Sequence, residues 1–137
     1  MTKEELMELA FKARENAYCP YSHYKVGAAV LGINGKVYTG CNIENASYGL
    51  TVCAERNAIF SMVGDGCLKF VALAMATADD EDSAPCLACR QVMTEFCESF
   101  DTPVYCSGLK RNIFTHTMKE LCPLPFVVFE ENEDYKK

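Results

Sequence analysis

Val26-Gly27-Ala28-Ala29-Val30-Leu31-Gly32-Ile33 and Lys36-Val37-Tyr38-Thr39-Gly40-Cys41 are two apolar runs of strand length on either side of Asn34-Gly35. Asparagine and glycine both tolerate the left-handed backbone of a two-residue hairpin turn, so the stretch predicts antiparallel strands over 26–33 and 36–41. Upstream, Thr2 with Glu5 forms a capping box, and Leu6, Leu9, Ala10, Ala13 and Ala17 follow helical spacing, which predicts an amphipathic helix ending before Cys19-Pro20. Downstream, a polar stretch over 42–48 leads into a helix over 51–63, where Cys53, Asn57, Ile59 and Phe60 recur, and Gly64-Asp65-Gly66 stops it. Residues 70–76 read as a buried strand and 79–83 as a loop. Pro85 reads as the first-turn proline of a helix running to about Glu98. Shorter strands are expected at 103–106 and 112–115, with a short helix at 118–121 before Pro123. The order α-β-β-α-β-α-β-β makes an α/β fold, a mixed sheet flanked by helices, the simplest architecture. One domain over residues 1–129 is expected, followed by an acidic, flexible tail over 130–137.

The bulk properties narrow the function. The chain has 137 residues, a net charge of −6 and no cluster of Lys and Arg, so it lacks the cations that nucleic-acid binding requires. The N-terminal sequence has neither the basic start nor the long apolar run of a secretory signal, and no stretch has membrane-spanning length; the cytosol is the expected compartment. Nine cysteines would suggest a disulfide scaffold in a small secreted protein. Here the number is odd and the context reducing, so metal binding or plain burial is the better reading.

Two helix starts carry the chemistry: Thr51-Val52-Cys53-Ala54-Glu55-Arg56 and Pro85-Cys86-Leu87-Ala88-Cys89-Arg90-Gln91. Cys86 and Cys89 are three apart and share a helix face, so both sulfurs can meet one ion, with Cys53 as the third ligand. Helix N-termini favour thiolates, the form zinc needs. Three protein ligands with an open fourth position mark a catalytic zinc, which lowers the pKa of its water from ~15.7 to about 7. Glu55, two residues beyond Cys53, is placed to shuttle that water's proton. Three thiolates leave the site one negative charge in excess, and Arg56 and Gln91 are expected to temper it by hydrogen bonding to ligand sulfurs. A redox reading of the Cys86/Cys89 pair leaves Glu55 and Cys53 unexplained. A closed structural zinc site, with Cys41, Cys106 or His23 as fourth ligand, stays open as a rival. The cysteines at 19, 41, 67, 97, 106 and 122 otherwise read as small buried apolar residues.

At this point the chain resembles the small cytidine deaminase family. The resemblance is carried by Cys19-Pro20-Tyr21-Ser22, Val26 to Ala29, Gly40 to Gly49, Cys53-Ala54-Glu55-Arg56-Asn57-Ala58, Pro85-Cys86-x-x-Cys89-Arg90-Gln91, and Glu120-Leu121-Cys122-Pro123 with Phe126. It implies a three-layer fold with a five-stranded mixed sheet, a Zn²⁺ cofactor, and hydrolysis of cytidine and 2′-deoxycytidine to uridine and 2′-deoxyuridine plus ammonia, a reaction of pyrimidine salvage. It further implies that Asn42 and Glu44 bind the ribose 3′-hydroxyl, that the Ala54 N–H and Glu55 contact the base, and that Tyr24 stacks on or lines the pyrimidine. Tyr48 and Phe126 would reach into a neighbouring subunit's site in a homotetramer. Tyr24, Lys25, Leu87 and Cys122 depart from the family's usual Phe, Pro, Gly and Leu; none is a ligand.

Overall fold

The structure, a computed structural model, describes residues 1–127. The expected acidic tail, 130–137, and the last two residues of the expected domain lie outside the described residues. The elements run α1 (Lys3–Arg14), β1 (Gly27–Gly32), β2 (Val37–Cys41), a 3-10 turn (Tyr48–Leu50), α2 (Ala54–Gly64), β3 (Phe70–Ala76), α3 (Leu87–Phe96), β4 (Pro103–Ser107), β5 (Phe114–Thr117) and α4 (Met118–Leu121).

The five strands form one mixed sheet in the order β2-β1-β3-β4-β5, with β3 and β4 the parallel pair and the other neighbours antiparallel. Side chains alternate across the sheet, so β1 to β4 each feed two cores. Ala29, Ala72, Ala74 and Ala76 face α1, where Leu6, Met7, Ala10 and Phe11 cover them. Ala28, Val30, Leu73, Met75, Val104 and Cys106 face the other way, against Ala58, Ile59 and Met62 of α2, Met93 of α3 and Met118 of α4. The result is three layers, as the resemblance implied. Burying each large apolar side chain here contributes about 1.5–3 kcal/mol.

Four sequence expectations need adjusting. The hairpin turn is a three-residue loop: Gly35 N–H donates to Gly32 O at 2.9 Å and Gly32 N–H to Lys36 O at 2.8 Å, and Gly35 alone takes a positive φ, 84°. Asn34 keeps a negative φ, so the turn bulges at glycine instead of closing in two residues. Helix α1 ends before Cys19-Pro20 as expected, but at Arg14, short of Ala17, and the Tyr18 N–H then bonds Asn42 O (3.0 Å), pairing residue 18 with Ile43. Pro85 precedes the N-cap of α3, Cys86. Phe60 is 49% exposed, since Ala54, Glu55, Ala58, Ile59 and Met62 form the buried face of α2.

Candidate metal centre

Cys53 and Cys86 are each the N-cap of a helix, extended in backbone (ψ 157° and 162°), so the two thiols stand where α2 and α3 present unpaired N–H groups. The approach of α2 to the sheet depends on Gly40 of β2: a Cβ there would lie 2.5 Å from Ala58 N and 2.7 Å from Ala54 O. Asn57 then ties the start of α2 to the chain before it, donating to Cys41 O at 2.8 Å and Val52 O at 3.4 Å. In α3, Arg90 Nε donates to Pro85 O at 2.7 Å and Arg90 Nη1 to Leu121 O at 3.1 Å, which fixes the Cys86 turn against α4.

These supports bring the sulfurs of Cys53, Cys86 and Cys89 within 4.8 Å of one another, with Cys53 and Cys86 3.7 Å apart. Thiolates on a tetrahedral zinc, each at about 2.3 Å, stand roughly 3.8 Å apart, so spacing and donor chemistry both fit the ion. Among the described residues no fourth side chain joins this group; Cys41, Cys106 and His23, the candidates for closing the site, lie outside it.

The electrostatics suit a thiolate centre. The Cys53 thiol is pushed down to about 5, chiefly by hydrogen bonding with Cys89 and helped by Arg56, against the effect of burial. Cys89 moves the opposite way, raised by its hydrogen bond to Cys53 and then by burial, so the pair shares one proton. Arg56 Nη2 donates to Cys53 Sγ at 3.4 Å. Glu55 is 2% exposed, and burial pushes its carboxyl up to about 7, with the Cys53 charge adding to the rise. A carboxyl with that value exchanges protons readily at neutral pH.

The centre opens into a cleft of about 240 Å³ whose wall includes Tyr24, Asn42, Cys53, Ala54, Glu55 and Cys86, half of the sequence candidates. Asn42 is 8% exposed; its Oδ1 accepts the Val26 N–H at 2.9 Å and its Nδ2 donates to Tyr24 O at 2.7 Å. Glu44 and Tyr48 line a second depression with Tyr21 and Ser22, and Thr51 belongs to both. Hydrogen bonds from the Ser22 hydroxyl and from the Ser22 and Tyr21 N–H groups hold the Glu44 carboxyl below its usual range.

Phe126 and Tyr48 are 76% and 74% exposed. Gln91 is placed differently from the expectation: its amide pairs with the Phe126 backbone, donating to O at 2.9 Å and accepting from N at 3.1 Å, instead of meeting a sulfur. Sequence reading also missed Asp79, whose Oδ2 accepts from the Tyr24 phenol at 2.5 Å. Nothing in the pattern of an acidic loop signals that contact.

A family profile described as the cytidine and deoxycytidylate deaminase zinc-binding region matches residues 1–106. A cytidine deaminase of Sporosarcina psychrophila is 48% identical over 126 residues, 92% of each chain. One of Halalkalibacterium halodurans is 46% identical over 133 residues, covering 97% of this chain and 100% of the relative. Among solved structures, that of cytidine deaminase from Burkholderia pseudomallei superposes with a TM-score of 0.87 at 44% identity, covering 92% of this chain and 100% of that one.

Proposed function

The chain belongs to the zinc-binding cytidine deaminase family, and from that premise we propose that its cleft takes free cytidine and 2′-deoxycytidine and hydrolyses them to uridine and 2′-deoxyuridine with release of ammonia. Zinc-dependent deamination of cytidine is the activity; the deoxynucleoside, the residue roles and a place in pyrimidine salvage are the finer reading. The observation that carries it is Glu55, a buried carboxyl on the same cleft wall as the three-sulfur group.

Cys53, Cys86 and Cys89 would hold the zinc, which when bound would supply Lewis acidity enough to make a water nucleophilic at neutral pH. Glu55 accepts that water's proton as the oxygen bonds to C4, and delivers it to N3 of the base. It then moves the proton of the new C4 hydroxyl to the amino group, the C4–N bond breaks, and ammonia leaves. The Ala54 N–H holds the base, and Tyr24 lines it. Asn42, with one amide N–H still to give, and the ionised Glu44 take the ribose hydroxyl. Their place in two adjoining depressions matches a ligand with a base and a sugar.

The exposed Phe126 and Tyr48 are read as reaching a neighbour's cleft in a homotetramer, with the cytosol as the working compartment. Among the described residues no helix is long and apolar enough to cross a membrane. Ultraviolet absorbance of cytidine incubated with zinc-loaded protein tests the reading against a chelator-treated control. Metal-dependent conversion to uridine supports it, and an unchanged spectrum with zinc bound overturns it.

A further inference from the structure

Two hydroxyls converge on one carboxylate oxygen at the rim of the cleft: the Tyr24 phenol donates to Asp79 Oδ2 at 2.5 Å and Ser83 Oγ donates to the same atom at 2.6 Å. Charge-assisted bonds of this length are stronger than neutral ones. Asp79 is anchored from behind. Its N–H donates to Thr77 Oγ1 at 3.1 Å, and its carbonyl packs so closely on Gly108, at the exit of β4, that a Cβ there would lie 1.2 Å away. The next residue, Asp80, accepts the Lys110 N–H at 3.0 Å. Tyr24 is fixed at its other end by Asn42, as described above. The phenol is thus strung between two immobilised stretches of backbone, the segment entering β1 and the connection from β3 to Cys86. Tyr24, Thr77 and Ser83 all line the cleft.

The geometry points to Asp79 as a positioning residue: through Tyr24 and Ser83 it holds two walls of the cleft together and sets how tightly the nucleoside is gripped. This rests on the nucleoside reading of the cleft. The hydroxyls and the carboxylate touch no reacting atom in that reading, so the effect falls on KM and spares kcat.

The test compares zinc-replete wild type with Y24F, D79A and the double variant, by steady-state kinetics on cytidine, zinc content, and hydrogen exchange over residues 77–85. Y24F is expected to raise KM about 3- to 10-fold, the size of one lost hydrogen bond, and D79A, which also frees Ser83, at least as much, each with kcat within about twofold. Zinc content stays the same, exchange over 77–85 quickens, and the double variant is no worse than D79A because both changes remove one bond. Unchanged KM in both single variants, or effects that multiply in the double, overturns the proposal. Should wild type leave cytidine untouched, the nucleoside reading falls by itself. Exchange then decides the clasp: unchanged protection in Y24F and D79A refutes it, and faster exchange in both upholds it.

Discussion

Arg56 Nη2 sits 3.4 Å from Cys53 Sγ, one helical turn beyond the cysteine that caps the same helix. Its guanidinium, held firmly protonated by that contact, places a positive charge against the three-sulfur group. Hydrogen-bond partners of metal ligands are worth about 10- to 100-fold in metal affinity or activity. Arg56→Ala is therefore expected to weaken zinc binding by that range, read by competition with a chromophoric chelator. Wild-type affinity in the variant would remove Arg56 from the centre.

Glu55→Gln keeps size and removes the proton-carrying group. Zinc content should match wild type and kcat should fall by about 10²- to 10⁴-fold, the usual share of a general acid–base group. Substantial residual turnover would show that another group moves the protons.

Zinc loading should release protons, because Cys89 holds its proton against Cys53 and must give it up to become a ligand. Affinity is expected to fall as pH falls, and mixing apo protein with Zn²⁺ in weak buffer should acidify an indicator dye. Loading with no change in dye colour contradicts the shared-proton arrangement.

Away from the cleft, Tyr38 donates to Asp65 Oδ2 at 2.5 Å. That bond is the main cause that lowers the Asp65 carboxyl and raises the Tyr38 phenol. Stability from a lowered carboxyl is present above its unfolded value, about 3.9, and is lost as pH falls through the lowered one; stability from a raised phenol is present below about 10 and is lost as pH rises through the raised one. Wild type should melt above Tyr38→Phe across the neutral range, with the gap closing at both extremes. A gap independent of pH from acid to alkali would count against the bond.

The residues show why parts of this molecule were legible in its sequence. Phe70–Ala76 could be placed because seven apolar residues between polar loops have few other uses, and Arg56 because a spacing of three keeps it on the face of Cys53. Gln91 failed by the same arithmetic: two residues past Cys89 is about 200° around a helix, the far side from the sulfurs. Its partner, the Phe126 backbone, lies 35 positions away in a segment without periodicity. Asn34-Gly35 signalled a turn but not its length, which depends on where the strands' hydrogen bonds begin. The Asp79 contact, 55 positions from Tyr24, is wholly tertiary.

The parallel pair β3–β4 needs one crossover, and that crossover is α3, the helix that carries two of the three sulfurs. An ion joining α3 to α2 therefore tethers chain positions 33 apart in a region the sheet can complete only by a long-range connection. Closing a loop of that size costs the unfolded chain about 4 kcal/mol of conformational entropy in the cross-link treatment. The ion that activates water would bind the folded chain in preference to the unfolded one and so offset that closure cost, so loss of the metal would strike folding and chemistry at one stroke.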